Sequence, residues 1–78
     1  MKYLIVEDFS GQAVGFLFPR RVDHADMREQ LPYAKVIAAG FAELNNGEFS
    51  CSGGSHELGA QARPDEDPKI LAEALRSR

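Results

Sequence analysis

The sequence predicts an α+β fold: a small two-layer domain of about four antiparallel strands in two hairpins with two short helices, in the order β-β-α-β-β-(β)-α. Three observations predict it. Asn46-Gly47 joins two apolar runs, Ser10-Gly11 joins two more, and an amphipathic stretch follows Asp67-Pro68. The chain has 78 residues, which is the size of one small domain. We therefore assign residues 1–78 to a single domain.

The first hairpin is predicted over residues 2–18. Residues 2–9 are rich in β-branched and aromatic side chains, and residues 13–18 form the return strand after a turn at Ser10-Gly11. This turn pairs Glu7 with Val14 and Ile5 with Phe16. One face then collects an apolar set: Tyr3, Ile5, Phe9, Val14, Phe16 and Phe18.

The other face of this hairpin is also apolar, and it carries Leu4, Val6 and Leu17. A strand pair that is apolar on both sides is either central in its sheet or covered by another molecule. In the second case, Leu4, Val6 and Leu17 are the candidate partner surface.

The first helix is predicted from His24 to Gln30. Pro19 ends the preceding strand, and Asp23 is placed to cap the helix, with Val22 and Met27 as a hydrophobic staple. Pro32 stops the helix, because the residue before a proline avoids helical geometry. With about two turns, this helix needs the sheet for its stability.

The second hairpin lies in residues 36–52. Asn46-Gly47 is a favoured pair for a type I′ turn, in which both central residues have positive φ. This turn pairs four residues with four others: Asn45 with Glu48, Leu44 with Phe49, Glu43 with Ser50, and Ala42 with Cys51. Leu44, Phe49, Ala42 and Cys51 then share an apolar face, which supports the register.

The C-terminal third ends in the second helix. Residues 56–60 are compatible with either a short strand or a loop. Asp67 is a favoured N-cap before Pro68 at the first helical position. The predicted apolar stripe of this helix contains Ile70, Leu71, Ala74 and Leu75. We expect both helices on one face of the sheet.

Composition limits the function classes. The net charge of −3 argues against a general nucleic-acid or anionic-membrane binder. The single cysteine, Cys51, cannot form an internal disulfide, and the first residues lack the pattern of a signal peptide, so we expect a cytoplasmic protein. The apolar run at residues 4–6 is too short to span a membrane.

Metal, thiol and phosphate chemistry each have a weak candidate. The residues for a metal site are His24, Asp26, Cys51 and His56, and their spacing does not match that of zinc ligands. Cys51 with His24 or His56 as base is the candidate thiol pair, but a lone cysteine on an apolar strand face favours core packing. The Gly/Ser run at residues 52–55 does not open into a helix, which favours a bend over a phosphate loop. The sequence predicts no catalytic residue, no cofactor and no metal.

A loose basic group surrounds the first helix. Positive side chains beside an aromatic ring can contact phosphates and stack a base. The group consists of Arg20, Arg21, Arg28, Tyr33 and Lys35. The nearby acidic residues Asp23, Asp26 and Glu29 favour a solvated surface instead.

Several segments together resemble a known group of proteins. The segments are MKYLIVED, FPRR, DHADM, VIAAGF, CSGGS, LG and ARPDED, followed by a terminal helix. They resemble a family of small uncharacterised proteins encoded by bacteriophages and prophages. The resemblance implies a viral or prophage setting, and it transfers no activity and no site residue.

The sequence therefore predicts a small non-enzymatic module that binds another protein or itself, through Leu4, Val6 and Leu17. The alternative is a nucleic-acid-binding module that uses the basic group. A thiol enzyme at Cys51 ranks third. No membrane partner is expected.

Overall fold

A computed structural model describes residues 1–76 and confirms the α+β class. The elements follow the predicted order, except that two short strands replace the single optional one: β1 (Lys2–Glu7), β2 (Ala13–Phe18), α1 (His24–Glu29), β3 (Val36–Asn45), β4 (Glu48–Ser52), β5 (Gly54–Ser55), β6 (Ala60–Gln61) and α2 (Asp67–Arg76). The open question about residues 56–60 is resolved, since β5 and β6 form a small separate hairpin around a turn at residues 56–59.

β1 is a central strand of the main sheet. The strand order is β2-β1-β3-β4, and every pairing is antiparallel. Tyr3, Leu4, Ile5 and Val6 are all 0% exposed. Because successive side chains of a strand point to opposite faces, β1 is buried on both sides of the sheet. This explains the two-sided apolar pattern of the first hairpin.

The second hairpin has the predicted register. Ala42 pairs with Cys51 and Leu44 with Phe49. Asn46 has a φ of 52° and Gly47 a φ of 81°, as a type I′ turn requires. Ala42, Phe49 and Cys51 are buried, whereas Leu44, near the turn, is 46% exposed.

The first hairpin differs from its predicted register by one residue. Glu7 pairs with Ala13 and Ile5 with Gly15, not with Val14 and Phe16. The physical reason is Asp8, whose Oδ1 accepts hydrogen bonds from the backbone N–H groups of Ser10 and Gln12, both at 2.9 Å. This closes a three-residue loop, residues 9–11, with Gly11 at a φ of 89°. The predicted two-residue turn is therefore wrong.

The two helices cover opposite faces of the sheet, so the expectation that they share one face is wrong. On one face, Tyr3, Ile5 and Ala38 pack with Leu71 of α2. On the other, Leu4, Phe18 and Ala39 form a second cluster against the α1 region and the β5–β6 hairpin. The residues packed on that cluster are Val22, Met27, Leu31, Val36, Leu58 and Ala60. The sheet is thus a middle layer rather than one of two layers.

The ends of the helices differ in detail from the prediction. The Asp23 side chain makes no capping hydrogen bond and lies instead 3.8 Å from the Lys2 ammonium. Asp67 is the first residue of α2. Leu75 is 43% exposed and so is not part of the buried stripe, while Leu71 is fully buried.

A buried hydrogen-bonded group ties α2 to β1. The Tyr3 hydroxyl donates to Oδ2 of Asp67 at 2.5 Å, and both residues are fully buried. The Arg63 backbone N–H donates to the same oxygen at 2.7 Å, and Arg63 Nε donates to Oδ1 at 3.0 Å. Burial, then the hydrogen bond and the charge of Asp67, raise the pKa of Tyr3 far above its ordinary value.

We expect Tyr3→Phe to lower the free energy of unfolding by about 1–3 kcal/mol, because it removes a hydrogen bond to a buried carboxylate. Urea denaturation at pH 7 measures this change. Leu44→Ala, at an exposed site of the same sheet, should stay within about 0.5 kcal/mol of the parent chain. A Tyr3→Phe chain as stable as its parent would show that the buried group does not stabilise the docking of α2.

The raised pKa of Tyr3 also predicts a loss of stability in alkali. Above about pH 10, the unfolded chain releases the Tyr3 proton while the folded chain keeps it. The unfolded state then binds fewer protons, so the free energy of unfolding falls by about 1.4 kcal/mol per pH unit. Tyr3→Phe should remove this slope, measured in a Cys51→Ala background because burial also raises the pKa of the Cys51 thiol. Equal slopes with and without Tyr3 would contradict the assignment.

Candidate functional site

The predicted partner surface is not a surface. Leu4 and Val6 are fully buried in the central strand. Leu17 pairs with Tyr3 and packs with the α2-side cluster, so it lies on the opposite face from Leu4. The one-residue change of register moves Leu17 across the sheet, and the α1 region covers Leu4. These three residues therefore do not form a contact set for a partner.

The basic group is divided between the two ends of the sheet. The Arg20 guanidinium lies over the Phe41 ring at 5.2 Å, and Phe41 pairs with Lys2 at the start of β1. Lys35 lies at the end of β1, where its ammonium is 3.6 Å from the Glu7 carboxylate. A six-residue strand is about 17 Å long, so these two cations do not belong to one site.

The other members of the basic group do not join them. Arg28 donates a hydrogen bond to the Ala34 carbonyl at 2.9 Å, and Arg21 is exposed. The Tyr33 ring makes tilted contacts with the rings of Phe9 and Phe16, whereas Arg20 lies over Phe41. The arrangement predicted for nucleic-acid binding is therefore not assembled as a single surface.

His24 is a packing residue on the α1 side of the sheet. Its ring makes edge contacts with Phe18 and Phe41, with centroids 5.5 Å and 5.9 Å away. Its Nε2–H donates to the Gly40 carbonyl at 3.0 Å, because a carbonyl oxygen can only accept. His24 is buried, and these contacts account for its ring and for this nitrogen.

Cys51 is buried on the α2 side, with Ala42 and Phe49. Burial raises the pKa of its thiol, and the Asp67 charge adds to this effect. The sheet separates Cys51 from His24, and His56 is exposed in the β5–β6 turn. In the part of the chain that the structure describes, no three His, Cys, Asp or Glu side chains are grouped to hold a metal ion.

The Gly/Ser run forms a bend, as the sequence favoured. Gly53 has a φ of 74°, and a Cβ at this position would lie 2.9 Å from the Phe41 ring. A cleft of about 400 Å³ borders this bend, and it is lined by Gly53, Gly54, Ser55, His56, Gly59, Ala60 and Gln61. The buried Ser55 Oγ accepts a hydrogen bond from the Leu58 N–H at 3.4 Å within the turn itself. The positive φ of Gly53 and the hydrogen bond of Ser55 are both typical of turns, so the Gly/Ser run is explained by its role in forming them.

An aromatic patch, with one exposed and two half-buried rings, lies at the other end of the sheet. It consists of Phe9, Phe16 and Tyr33. The Phe9 and Tyr33 ring centroids are 5.0 Å apart, and those of Phe16 and Tyr33 are 6.5 Å apart. Phe9 is 82% exposed, the largest exposure among the large hydrophobic residues described. Phe9 was predicted to share a face with Tyr3, and the three-residue loop carries it out of the sheet instead.

The loop that carries Phe9 is held by one carboxylate. Besides the two backbone bonds described above, Asp8 Oδ1 accepts a hydrogen bond from Ser10 Oγ at 2.7 Å. The Ser10 hydroxyl and the Gln12 N–H lower the pKa of Asp8. Phe9 is therefore presented from a tightly bonded loop, with the Glu7–Lys35 ion pair beside it.

Comparison with protein-family models, with curated proteins and with solved structures finds no match for this chain. The site must therefore be interpreted from its own geometry. Neither helix in residues 1–76 has the length and apolar character needed to cross a membrane.

We expect Cys51 to be protected from alkylation. In the folded chain the thiol is buried and its pKa is raised, so it should react with iodoacetamide roughly 100-fold more slowly than in guanidinium-unfolded chain. Mass spectrometry of timed samples measures both rates. A thiol that reacts as fast in the folded chain as in the unfolded chain would support the thiol-enzyme alternative.

Proposed function

We propose that this chain is a small non-enzymatic module that binds a protein partner through the aromatic patch. The observation that supports this proposal is the 82% exposure of Phe9 within a cluster of three aromatic rings in tilted contact. Large aromatic side chains held at a surface are the residues that most often dominate binding energy at protein interfaces. The other exposed large apolar residues, Met1, Leu44 and Leu75, are each less than 50% exposed, so Phe9 stands apart from them.

The geometry of the loop favours binding energetically. Burial of an exposed Phe side chain contributes about 1.5–3 kcal/mol. The three hydrogen bonds to Asp8 Oδ1 hold the loop before a partner arrives, so little conformational entropy is lost on binding. A partner with an apolar pocket would therefore gain most of the burial energy of Phe9.

The charges around the patch favour a protein over a nucleic acid. Glu7 and Asp8 lie next to Phe9 in the chain, and the nearby Lys35 is paired with Glu7. The carboxylate without a paired cation is that of Asp8, and its charge repels a phosphate backbone. Charged residues around an apolar centre are the ordinary rim of a protein interface.

The proposed setting follows from the sequence. The lone cysteine supports a reducing cytoplasm, and the resemblance to bacteriophage and prophage proteins supports a viral or prophage origin. Bacterial lysates made before and after prophage induction are therefore the sources in which to search for the partner.

The test is site-specific photo-crosslinking followed by direct binding. A chain with p-benzoyl-phenylalanine at position 9 should cross-link one protein, and excess parent chain should compete for it while the Phe9→Ala chain should not. The matched control carries the same probe at position 44, since Leu44 is exposed at the far end of the sheet.

With the captured protein purified, Phe9→Ala should weaken binding by about ten-fold or more, and Leu44→Ala should leave it unchanged. Phe9→Ala should also unfold within about 0.5 kcal/mol of the parent, because an exposed side chain adds little to stability. The proposal fails if position 9 captures nothing that position 44 does not. It also fails if position 9 captures nucleic acid and the binding weakens steeply with salt.

A further inference from the structure

Asp8 uses only one of its two carboxylate oxygens to hold the loop that presents Phe9. Its Oδ1 accepts all three hydrogen bonds, which come from the N–H groups of Ser10 and Gln12 and from the Ser10 hydroxyl. No described residue donates a hydrogen bond to Oδ2, and none of the ion pairs formed within residues 1–76 includes Asp8. The second oxygen therefore has no donor from the described part of the chain.

The Asp8 carboxylate is ionised at neutral pH. The Ser10 hydroxyl and, to a smaller extent, the Gln12 N–H lower the pKa of Asp8 below its ordinary value. The nearby ammonium of Lys35 does not balance this charge with an ion pair, since it lies 3.6 Å from Oε2 of Glu7. Asp8 therefore places an unpaired negative charge in the residue next to the exposed Phe9.

A partner that buries the Phe9 ring also removes water from Asp8. The two residues are consecutive, so their Cα atoms are about 3.8 Å apart. Phe9 is 82% exposed, and a surface that closes over so much of its side chain must also reach the residue before it. An ionised carboxylate that leaves water without a compensating cation opposes binding at least as strongly as the burial of one Phe side chain favours it. The partner must therefore supply a positively charged donor for Oδ2.

We infer that the partner supplies this charge as an arginine, which donates to Oδ2 of Asp8 while its guanidinium packs on the Phe9 ring. The inference rests on the proposed function, because it specifies the partner of the same aromatic patch. A guanidinium is planar and has five N–H donors, so its edge can bind a carboxylate while its face lies on an aromatic ring. A lysine ammonium is a compact, strongly hydrated charge without a planar face, so it fits this pair of groups less well.

The chain itself contains each of these two contacts between its own residues. The Arg20 guanidinium lies over the Phe41 ring, 5.2 Å from its centre. Arg63 Nε donates to Oδ1 of the buried Asp67 at 3.0 Å. At the Phe9 loop the ring and the carboxylate are both present, but no arginine within residues 1–76 forms an ion pair or a ring contact there. The net charge of −3 also favours a basic surface on the partner.

The first test compares two single-charge variants in binding to the purified protein that position 9 captures. Asp8→Asn keeps an amide oxygen that can accept the hydrogen bonds of the loop but removes the charge, and it should weaken binding by about ten-fold or more. Glu43→Gln makes the same change of net charge at an exposed site of β3 and should leave binding unchanged. Equal affinities of the two variants would overturn the inference.

The second test identifies the arginine on the partner. Phenylglyoxal modifies exposed arginine side chains, so mass spectrometry of the captured protein with and without the parent chain should reveal one arginine that the chain protects. Replacement of that arginine by glutamine should weaken binding by about ten-fold with the parent chain. With the Asp8→Asn chain it should weaken binding by less than about two-fold, since each change removes the same contact. Lysine at that position should restore only part of the lost affinity.

This double-mutant cycle separates the contact from a change in the loop. If Asp8→Asn weakens binding only because the loop is less well held, the two effects add and the inference is wrong. It is also wrong if the chain protects no arginine of the captured protein, or if lysine restores the affinity in full.

The outcomes also distinguish this inference from the proposed function. If position 9 captures no protein, the proposed function fails and the inference fails with it. If Phe9→Ala weakens binding by about ten-fold while Asp8→Asn does not, the aromatic patch is the binding site and only the assignment of the arginine is overturned.

Discussion

The fold depends on one constraint, which is that β1 is buried on both faces. Four consecutive residues, Tyr3 to Val6, lose all contact with solvent. Because their side chains alternate, half of this apolar surface needs cover on each side of the sheet. A chain of 78 residues has little material for two covers. Because both faces of β1 must be covered, α1 and the β5–β6 hairpin pack on one side of the sheet and α2 packs on the other.

The two covers are anchored by different chemistry. α1 spans six residues, too few for independent stability, and its first residue, His24, is held between Phe18 and Phe41 with a hydrogen bond to Gly40. α2 has ten residues, and a charge-assisted group joins its first residue, Asp67, to Tyr3 of β1 and to Arg63. Hydrogen bonds at the start of each helix therefore hold that helix in place on its face of the sheet. Apolar contacts alone would define these positions less closely.

The sequence predicts the parts of this fold whose signals are local. Asn46-Gly47 determines its own turn, and one polar and one apolar face then leave a single sensible register. β1 and β2 are apolar on both faces, so a one-residue change of register does not place polar residues on an otherwise apolar face. The register is set instead by the hydrogen bonds of the Asp8 carboxylate. The alternation of apolar and polar residues carries no information about these bonds. The misplacement of Leu17 and Phe9 follows from that single residue.

The same slip explains why the candidate surface was missed. When the loop takes three residues rather than two, Phe9 leaves the sheet and joins Tyr33, and Leu17 enters the core. Leu4 and Val6 were predicted as contacts because one face had no visible cover, and that cover came from distant parts of the chain, among them Leu31 and Leu58. Interaction surfaces in so small a domain are what remains after the central strand is covered. Here that remainder is a cluster of three rings around Phe9, whose loop is held by Asp8.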